Sequence, residues 1–434
     1  MTTQLLDPKK GRAVSPLTTD REQGSEYAKA ANLRVLVLAL ASFAIGTSVF
    51  VVAGLLGGVA RGFSIPLGTV GHTATVYAIV YAVLSPVLVA ATGRVARRRL
   101  LVLVLSLFAL SNLAAALAPT FSLLLASRVA AASFAAICTP VATAVAAGLV
   151  APEHRGKALS VVIGGVSASW VVGVPAATLI SDHFGWRAGF VLVAVLAAVA
   201  AAGVGALLPA VKTPAPSGRL SSRLAVVRRP AVLVTLAVTV LGMAAAFSVL
   251  TYVRPLLEDL RGLQGGGVAS MLFLFGLAGL AGSVLGGYGA DRLGYRTNVV
   301  SILMVLVFSL LSFSLLSVLG PAFVALGAAT ALVAMATAGF ALTPLQQYRL
   351  IQSAPDQQNG VLALNASAIY VGQGLGAILG SSVITHASSA SLGWAGATCA
   401  ALALILSVLG PRCAVQNERG PTALRDPLAR KAMC

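Results

Sequence analysis

Charge is scarce in this sequence. Asp, Glu, Lys and Arg make up 10% of its 434 residues, where a soluble domain carries about 25%. With 58% hydrophobic residues and a mean hydropathy of +0.93, that shortage excludes a water-soluble fold and leaves a polytopic membrane protein. Histidine and cysteine are sparse too, four of each. Cys138, Cys399, Cys413 and Cys434 have neither disulfide nor metal spacing. Acids number twelve against thirty Lys and Arg, and none lies deep in an apolar run. No nucleophile pairs with a base and no ligand set clusters, so no catalytic residue, cofactor or metal is expected, and the chain reads as no enzyme. The start lacks an apolar core followed by a small-residue cleavage site. Residues 1–32 therefore read as a disordered cytoplasmic tail and not a signal peptide.

Long apolar runs are what the chain does have. Twelve are long enough to cross a hydrocarbon core of about 30 Å: 33–57, 72–93, 99–118, 121–149, 158–181, 188–208, 231–254, 267–289, 297–319, 321–345, 359–386 and 392–410. They are rich in Leu, Ala and Val without dyad alternation, so they predict helices and not barrel strands. The Pro-, Ser- and Arg-rich stretch 209–230 separates six runs from six. The expected organisation is all-α: an N-terminal six-helix bundle over 33–208, a cytoplasmic linker over 209–230, a C-terminal six-helix bundle over 231–410 and a cytoplasmic tail over 411–434.

Lys and Arg set the orientation, because cytoplasmic loops retain positive charge. Only Arg61, Arg187, Arg254 and Arg261 fall in one set of loops and Arg128 inside a run; every other basic residue falls on the opposite side. Both termini are thus expected in the cytoplasm. The +18 net charge is then a topology signal facing lipid, and no nucleic-acid partner is expected. An internal repeat is visible as well: "ATGRVARR" (91–98) aligns with "GADRLGYR" (289–296), setting Arg94 under Arg292 and Arg98 under Arg296, 198 positions apart.

"GYGADRLGYR" carries Gly287, Asp291, Arg292, Gly294 and Arg296; "GGVSASWVVGVPAATLISDHFGWR" carries Gly165, Gly173 and Pro175, then Gly185, Trp186 and Arg187; "LLLASRVAAASF" carries Arg128. In order and topology these stretches resemble the major facilitator superfamily of secondary transporters, from about residue 35 to 410, and most resemble its twelve-span drug:H+ antiporters of the arabinose-efflux and chloramphenicol-resistance type. The resemblance implies an inner-gate motif at Gly287, Asp291, Arg292, Gly294 and Arg296, and an antiporter motif at Gly165, Gly173 and Pro175. It implies export of a small drug-like or sugar-like molecule by alternating access in exchange for protons. The alternative is facilitated or proton-coupled transport of a sugar, nucleoside or other metabolite; a polytopic enzyme is a remote one. The expected setting is a bacterial inner membrane, multi-pass, with the lipid bilayer, a small-molecule substrate and protons as partners of a monomer.

Physical reasons stand beside the resemblance. Glycines with a proline let helix backbones approach and bend. An arginine inside a span is costly and faces a cavity or a partner, unless it snorkels to the surface. Candidates for substrate contact or coupling are the mid-depth polar and aromatic residues Arg128, Thr47, Tyr77, Tyr81, Asn112, Trp170, Tyr252, Asn365, Tyr370 and Gln373. With no carboxylate among them they suit a neutral or anionic, moderately amphipathic solute. Drug exporters of this kind often carry an acid in the first span, yet "FAIGTSVFVVAGLL" has none. Asp291 is expected to pair with Arg292 or Arg296, or with a helix N-terminus, as a cytoplasmic-side gate, while the loop at Gly93 mainly sets topology.

Overall fold

The computed structural model describes residues 16–93, 95–151, 154–209, 226–259, 266–292, 294–315 and 321–410; the side chains of 16–31, 290–292, 321–323 and 359 are outside the described set. Among the described residues every regular element is helical. Twelve helices among the described residues are long and apolar enough to cross a membrane: Asn32–Phe63, Leu67–Ala91, Arg97–Ala116, Phe121–Gly148, Arg155–Phe184, Trp186–Leu207, Pro230–Leu250, Gly266–Gly289, Tyr295–Leu315, Val324–Ser353, Gly360–His386 and Ser391–Leu409. They are called the first to twelfth spans below.

Several boundaries differ from expectation: the first span runs on to Phe63 and the tenth to Ser353, past the expected 57 and 345, and the second starts at Leu67, ahead of 72. The helix of the first span begins at Pro16, so residues 16–32, expected to be disordered, continue it. Proline is accepted in a first turn, and Arg21, Glu22, Gln23, Ala28, Lys29, Ala30 and Ala31 are good helix formers. The seventh span stops at Leu250, and after a turn the chain starts a separate short helix, Val253–Asp259.

Helices in lipid associate by close packing of small residues. In the eleventh span Gly372, Gly376 and Gly380 recur every fourth residue. A methyl on each would come within 2.5–2.6 Å of the carbonyl oxygens of Val240, Ala244 and Ser248, also every fourth residue, on the seventh. The first and fifth spans cross in the same manner: Gly165 lies against the Ala39 carbonyl and Gly173 against the Thr47 hydroxyl. Pairs 1/5, 2/4 and 3/6 thus have the counterparts 7/11, 8/10 and 9/12. The halves meet where the second span packs on the eleventh and the eighth on the fifth, positions the repeat makes equivalent.

The repeat also shows in side-chain chemistry. Arg98, at the start of the third span, donates to the Gly205 carbonyl near the end of the sixth. Arg296, at the start of the ninth, donates to the Val408 carbonyl near the end of the twelfth at 2.8 Å. A cation on the last carbonyls of a helix satisfies orphan acceptors and complements the dipole.

Residues 32 and 410 lie at one face of the bundle, the near face; the loops after the first, third and fifth spans lie at the far face. The fifth span changes partners along its length. Its near half, Arg155–Ala168, packs mainly on the first and fourth spans, whereas from Ser169 outward it keeps the first span and gains the eighth in place of the fourth.

Candidate functional site

Arg128 lies seven residues into the fourth span and is fully buried, at 0% exposure, which excludes a snorkelling arginine. Its Nη1 donates to the Ser48 hydroxyl at 3.0 Å and its Nη2 to the Ser48 carbonyl at 2.7 Å. Ser48 in turn donates to Asn112 Oδ1 at 2.9 Å, and Asn112 Nδ2 donates to the Phe108 carbonyl at 2.8 Å. The guanidinium lies 4.4 Å from the Tyr77 ring centre and 5.7 Å from that of Phe190. Five spans of the N-terminal half thus enclose one cation. No described carboxylate pairs with it, and its Nε has no partner.

Tyr81, one turn from Tyr77, faces the other half instead. Its ring stacks on Tyr370 of the eleventh span with centroids 3.8 Å apart. Gln373, one turn further along that span, is buried. The Ser367 hydroxyl donates to the Ala82 carbonyl at 3.3 Å beside the stack.

Across the second contact zone stands Trp170. It sits in a π-helical turn, Ser169–Gly173, and Pro175 follows two residues later. Proline has no N–H to give the carbonyl of Val171 in α register, and a wider turn absorbs the mismatch. Trp170 stacks on Phe50 of the first span at 4.0 Å and lies 5.1 Å from Phe275 and 6.0 Å from Phe340 of the C-terminal half. Phe247 of the seventh span closes on Phe50 at 6.0 Å. A methyl on Gly276 would collide with the backbone of Trp170 and Val171, so this glycine sets how closely the halves approach.

The other candidates make their hydrogen bonds within one half. Thr47 is buried and donates to the Phe43 carbonyl at 2.8 Å. Asn365 Oδ1 accepts from Thr239 at 3.1 Å, leaving Nδ2 without a partner. Tyr252 donates to the Ala377 carbonyl at 3.1 Å and fills the space beside Gly71 of the second span. These are hydrogen bonds between neighbouring helices or turns of one half.

In the near-face motif, Gly294 has φ +71°, a left-handed conformation that a side chain disfavours, and it makes the turn between the eighth and ninth spans. Gly287 has open space where a Cβ would stand. Arg296 is occupied by Val408. The expected Asp291 gate falls on residues whose side chains lie outside the described set, as does Arg292.

The sequence pattern did not reveal the far face. Arg254, in the short helix after the seventh span, donates through Nε to Glu258 Oε1 at 2.8 Å, through Nη2 to Asp182 Oδ1 at 2.6 Å and through Nη1 to the Gly54 carbonyl at 2.6 Å. Burial disfavours its charge. The hydrogen bonds and charges of Asp182 and Glu258 outweigh that effect, and the guanidinium is held above its ordinary pKa. The four-residue spacing of Arg254 and Glu258 was readable; the tie to Asp182 was not.

Twelve spans in two related halves, meeting over buried aromatic and polar side chains, define a polytopic membrane transporter. The Major Facilitator Superfamily profile matches residues 38–377. An uncharacterized MFS-type transporter of Bacillus subtilis (strain 168), YbcL, is 29% identical over 393 residues, which are 91% of this chain and 98% of that one. Among solved structures, a bacterial homologue of the human lysosomal transporter Spinster, inward-facing and unoccupied, superposes with a TM-score of 0.64 at 16% identity, covering 88% of this chain and 94% of that one. A point mutant of the nucleoside transporter NupG gives 0.70 at 10% identity, covering 87% and 99%. The chain belongs to the Major Facilitator Superfamily: it is a multi-pass transporter of the cell membrane that acts on a small molecule.

Proposed function

We propose that this transporter exports a small drug-like or sugar-like molecule by alternating access, in exchange for protons, with the near face in the cytoplasm. The observation that carries the reading is the mid-depth surface on which the halves meet: Tyr81 against Tyr370 on one side and Trp170 against Phe275 on the other. When the halves part, a solute with planar apolar parts and a few hydrogen-bonding groups can take over these ring contacts. Arg128, buried behind Tyr77 with no counter-anion among the described residues, gives the N-terminal half a positive interior. That supports a neutral or anionic solute and opposes a polycation.

Tyr252 beside Gly71, and Ser381 donating to the Gly68 carbonyl at 2.9 Å, join the halves toward the far face. With the near face cytoplasmic, these contacts support an arrangement closed toward the outside.

One observation favours a second reading, facilitated movement of a sugar, nucleoside or other metabolite. Proton antiport ordinarily uses an ionisable group that alternates between the two sides, and the described acids stand at helix ends or outside the spans, such as Asp182, Glu258 and Asp356.

The test is a susceptibility and uptake panel in an efflux-deficient host, repeated with a protonophore. Accumulation that the protein lowers and gradient collapse restores supports antiport. Flux unchanged by collapse overturns antiport in favour of facilitated movement.

A further inference from the structure

We propose that Arg254 is the latch of the far-side gate: it ties the C-terminal half to the first and fifth spans through Gly54 and Asp182, and Glu258 keeps it paired when that tie opens. The inference rests on the alternating-access reading. It concerns the face opposite the Gly287–Arg296 motif.

The geometry gives each contact a separate task. Arg254 and Glu258 are i,i+4 neighbours on one short helix, so their bond survives any rigid movement of that helix. The bonds to Asp182 and to the Gly54 carbonyl join residues 72 and 200 positions away in the other half, so they break when the far face opens. The Arg254 side chain is 8% exposed and that of Asp182 17%; a charge pair so shielded is screened far less by water than a surface pair. Glycine at 54 is required for the approach, since a Cβ there would run into Thr178 of the fifth span.

Contacts below the latch are uncharged. Tyr252 rests beside Gly71, Ser381 bonds the Gly68 carbonyl, and the Trp170 ring cluster follows at mid-depth. Two of the three bonds of Arg254 are lost on opening. A buried arginine would then be left without an ion partner, but Glu258 prevents this and lowers the barrier to each cycle. Asp182, near the end of its span, meets water once released.

The test places a reporter beneath the latch. Thr75 is 5% exposed, one turn deeper than Gly71 on the second span, and Thr75→Cys replaces its hydroxyl and methyl by one thiol without adding bulk. Intact cells are treated with a membrane-impermeant maleimide, with the chain lacking the reporter as blank and His183→Cys, at the exposed far end of the fifth span, as rim control.

Asp182→Asn is expected to raise the labelling rate of the reporter by about tenfold, the shift that loss of roughly 1.4 kcal/mol of closure would give. Glu258→Gln, which leaves both inter-half bonds but removes the partner of Arg254 in the open state, is expected to lower the labelling rate by about threefold, opposite in sign to Asp182→Asn. Arg254→Lys keeps the charge without the three-way fork and is expected to fall between the parent and Asp182→Asn, serving also if Asp182→Asn fails to reach the membrane. Equal reporter labelling in Asp182→Asn and the parent, with a reactive rim control, overturns the latch. An unreactive rim control overturns the orientation instead, and the same comparison in inverted vesicles then decides the latch.

Discussion

Replacing Arg128 by methionine separates a functional arginine from a structural one. The guanidinium makes two hydrogen bonds to Ser48 and lies over the Tyr77 ring. Hydrogen bonds to a charged group contribute about 1.5–3 kcal/mol each, and a desolvated cation–π contact about 2 kcal/mol. Against these roughly 5–8 kcal/mol stands a burial penalty of several kcal/mol for an unpaired ion. The net contribution to stability is therefore only about 2–3 kcal/mol. Methionine fills a similar length with apolar atoms, and Ser48 keeps its bond to Asn112. We expect Arg128→Met to insert normally and to melt within about 5 °C of the parent, while transport into proteoliposomes, measured with a compound found by the uptake panel, is lost. Arg128→Lys is expected to lose transport too, because an ammonium cannot hold both Ser48 oxygens and stack on Tyr77. A variant that transports at the parental rate, or one whose melting point collapses by more than about 10 °C, would refute the reasoning.

Tyr370→Phe keeps the stack on Tyr81 and should leave the apparent KM for transport within about twofold, whereas Tyr370→Ala removes the ring and should raise it about tenfold. Gly276→Leu forces the eighth span off the backbone of Trp170, and cross-linking of cysteines placed at Ser169 and Phe275 should fall markedly without loss of expression. Gly294→Ala places a side chain at φ +71°; a loss of about 1–2 kcal/mol is expected, read as a lower melting point. Asp356 is held below its ordinary pKa by its hydrogen bond to Arg229. Its stabilising share is therefore present above the unfolded-state value and lost only as pH falls through the lower folded one. Asp356→Asn should leave the shape of the pH–rate profile between pH 5 and about 8 unchanged, since the pair is already fully ionised there.

The spans were legible because hydrophobicity over some twenty residues is a local property, and Lys and Arg placement is local too. The inter-half contacts were not. Phe50, Phe275 and Phe340 look in sequence like any aromatic in a span; only the fold shows that they surround Trp170 and do not face lipid. Pro175 announced a disturbed helix, yet the π turn before it depends on how the fifth span crosses the first and eighth. For Arg128 the sequence left snorkelling open, and complete burial decides against it. Thr47, Asn112, Tyr252 and Asn365 were chosen for polarity at mid-depth. Three of them are spoken for by bonds within their own half, while Asn365 keeps one donor without a partner.

The repeat bears on the gate as well. Arg98 and Arg296 do the same work in both halves, pinning the third span to the sixth and the ninth to the twelfth. A latch between halves has a different requirement: one half must offer the donor and the other the acceptors, so the two copies have to diverge there. At the far face they do. The seventh span ends early and turns into the short helix that carries Arg254 and Glu258. Its counterpart, the first span, runs straight on to Phe63, with glycines at 54, 58 and 62 that admit Thr178 and Trp186. The tight approach of the fifth span to the first places Asp182 beside the open carbonyl of Gly54, and the single guanidinium reaches both. The divergence of the two copies at this one place is what makes a closed far face compatible with a repeated fold.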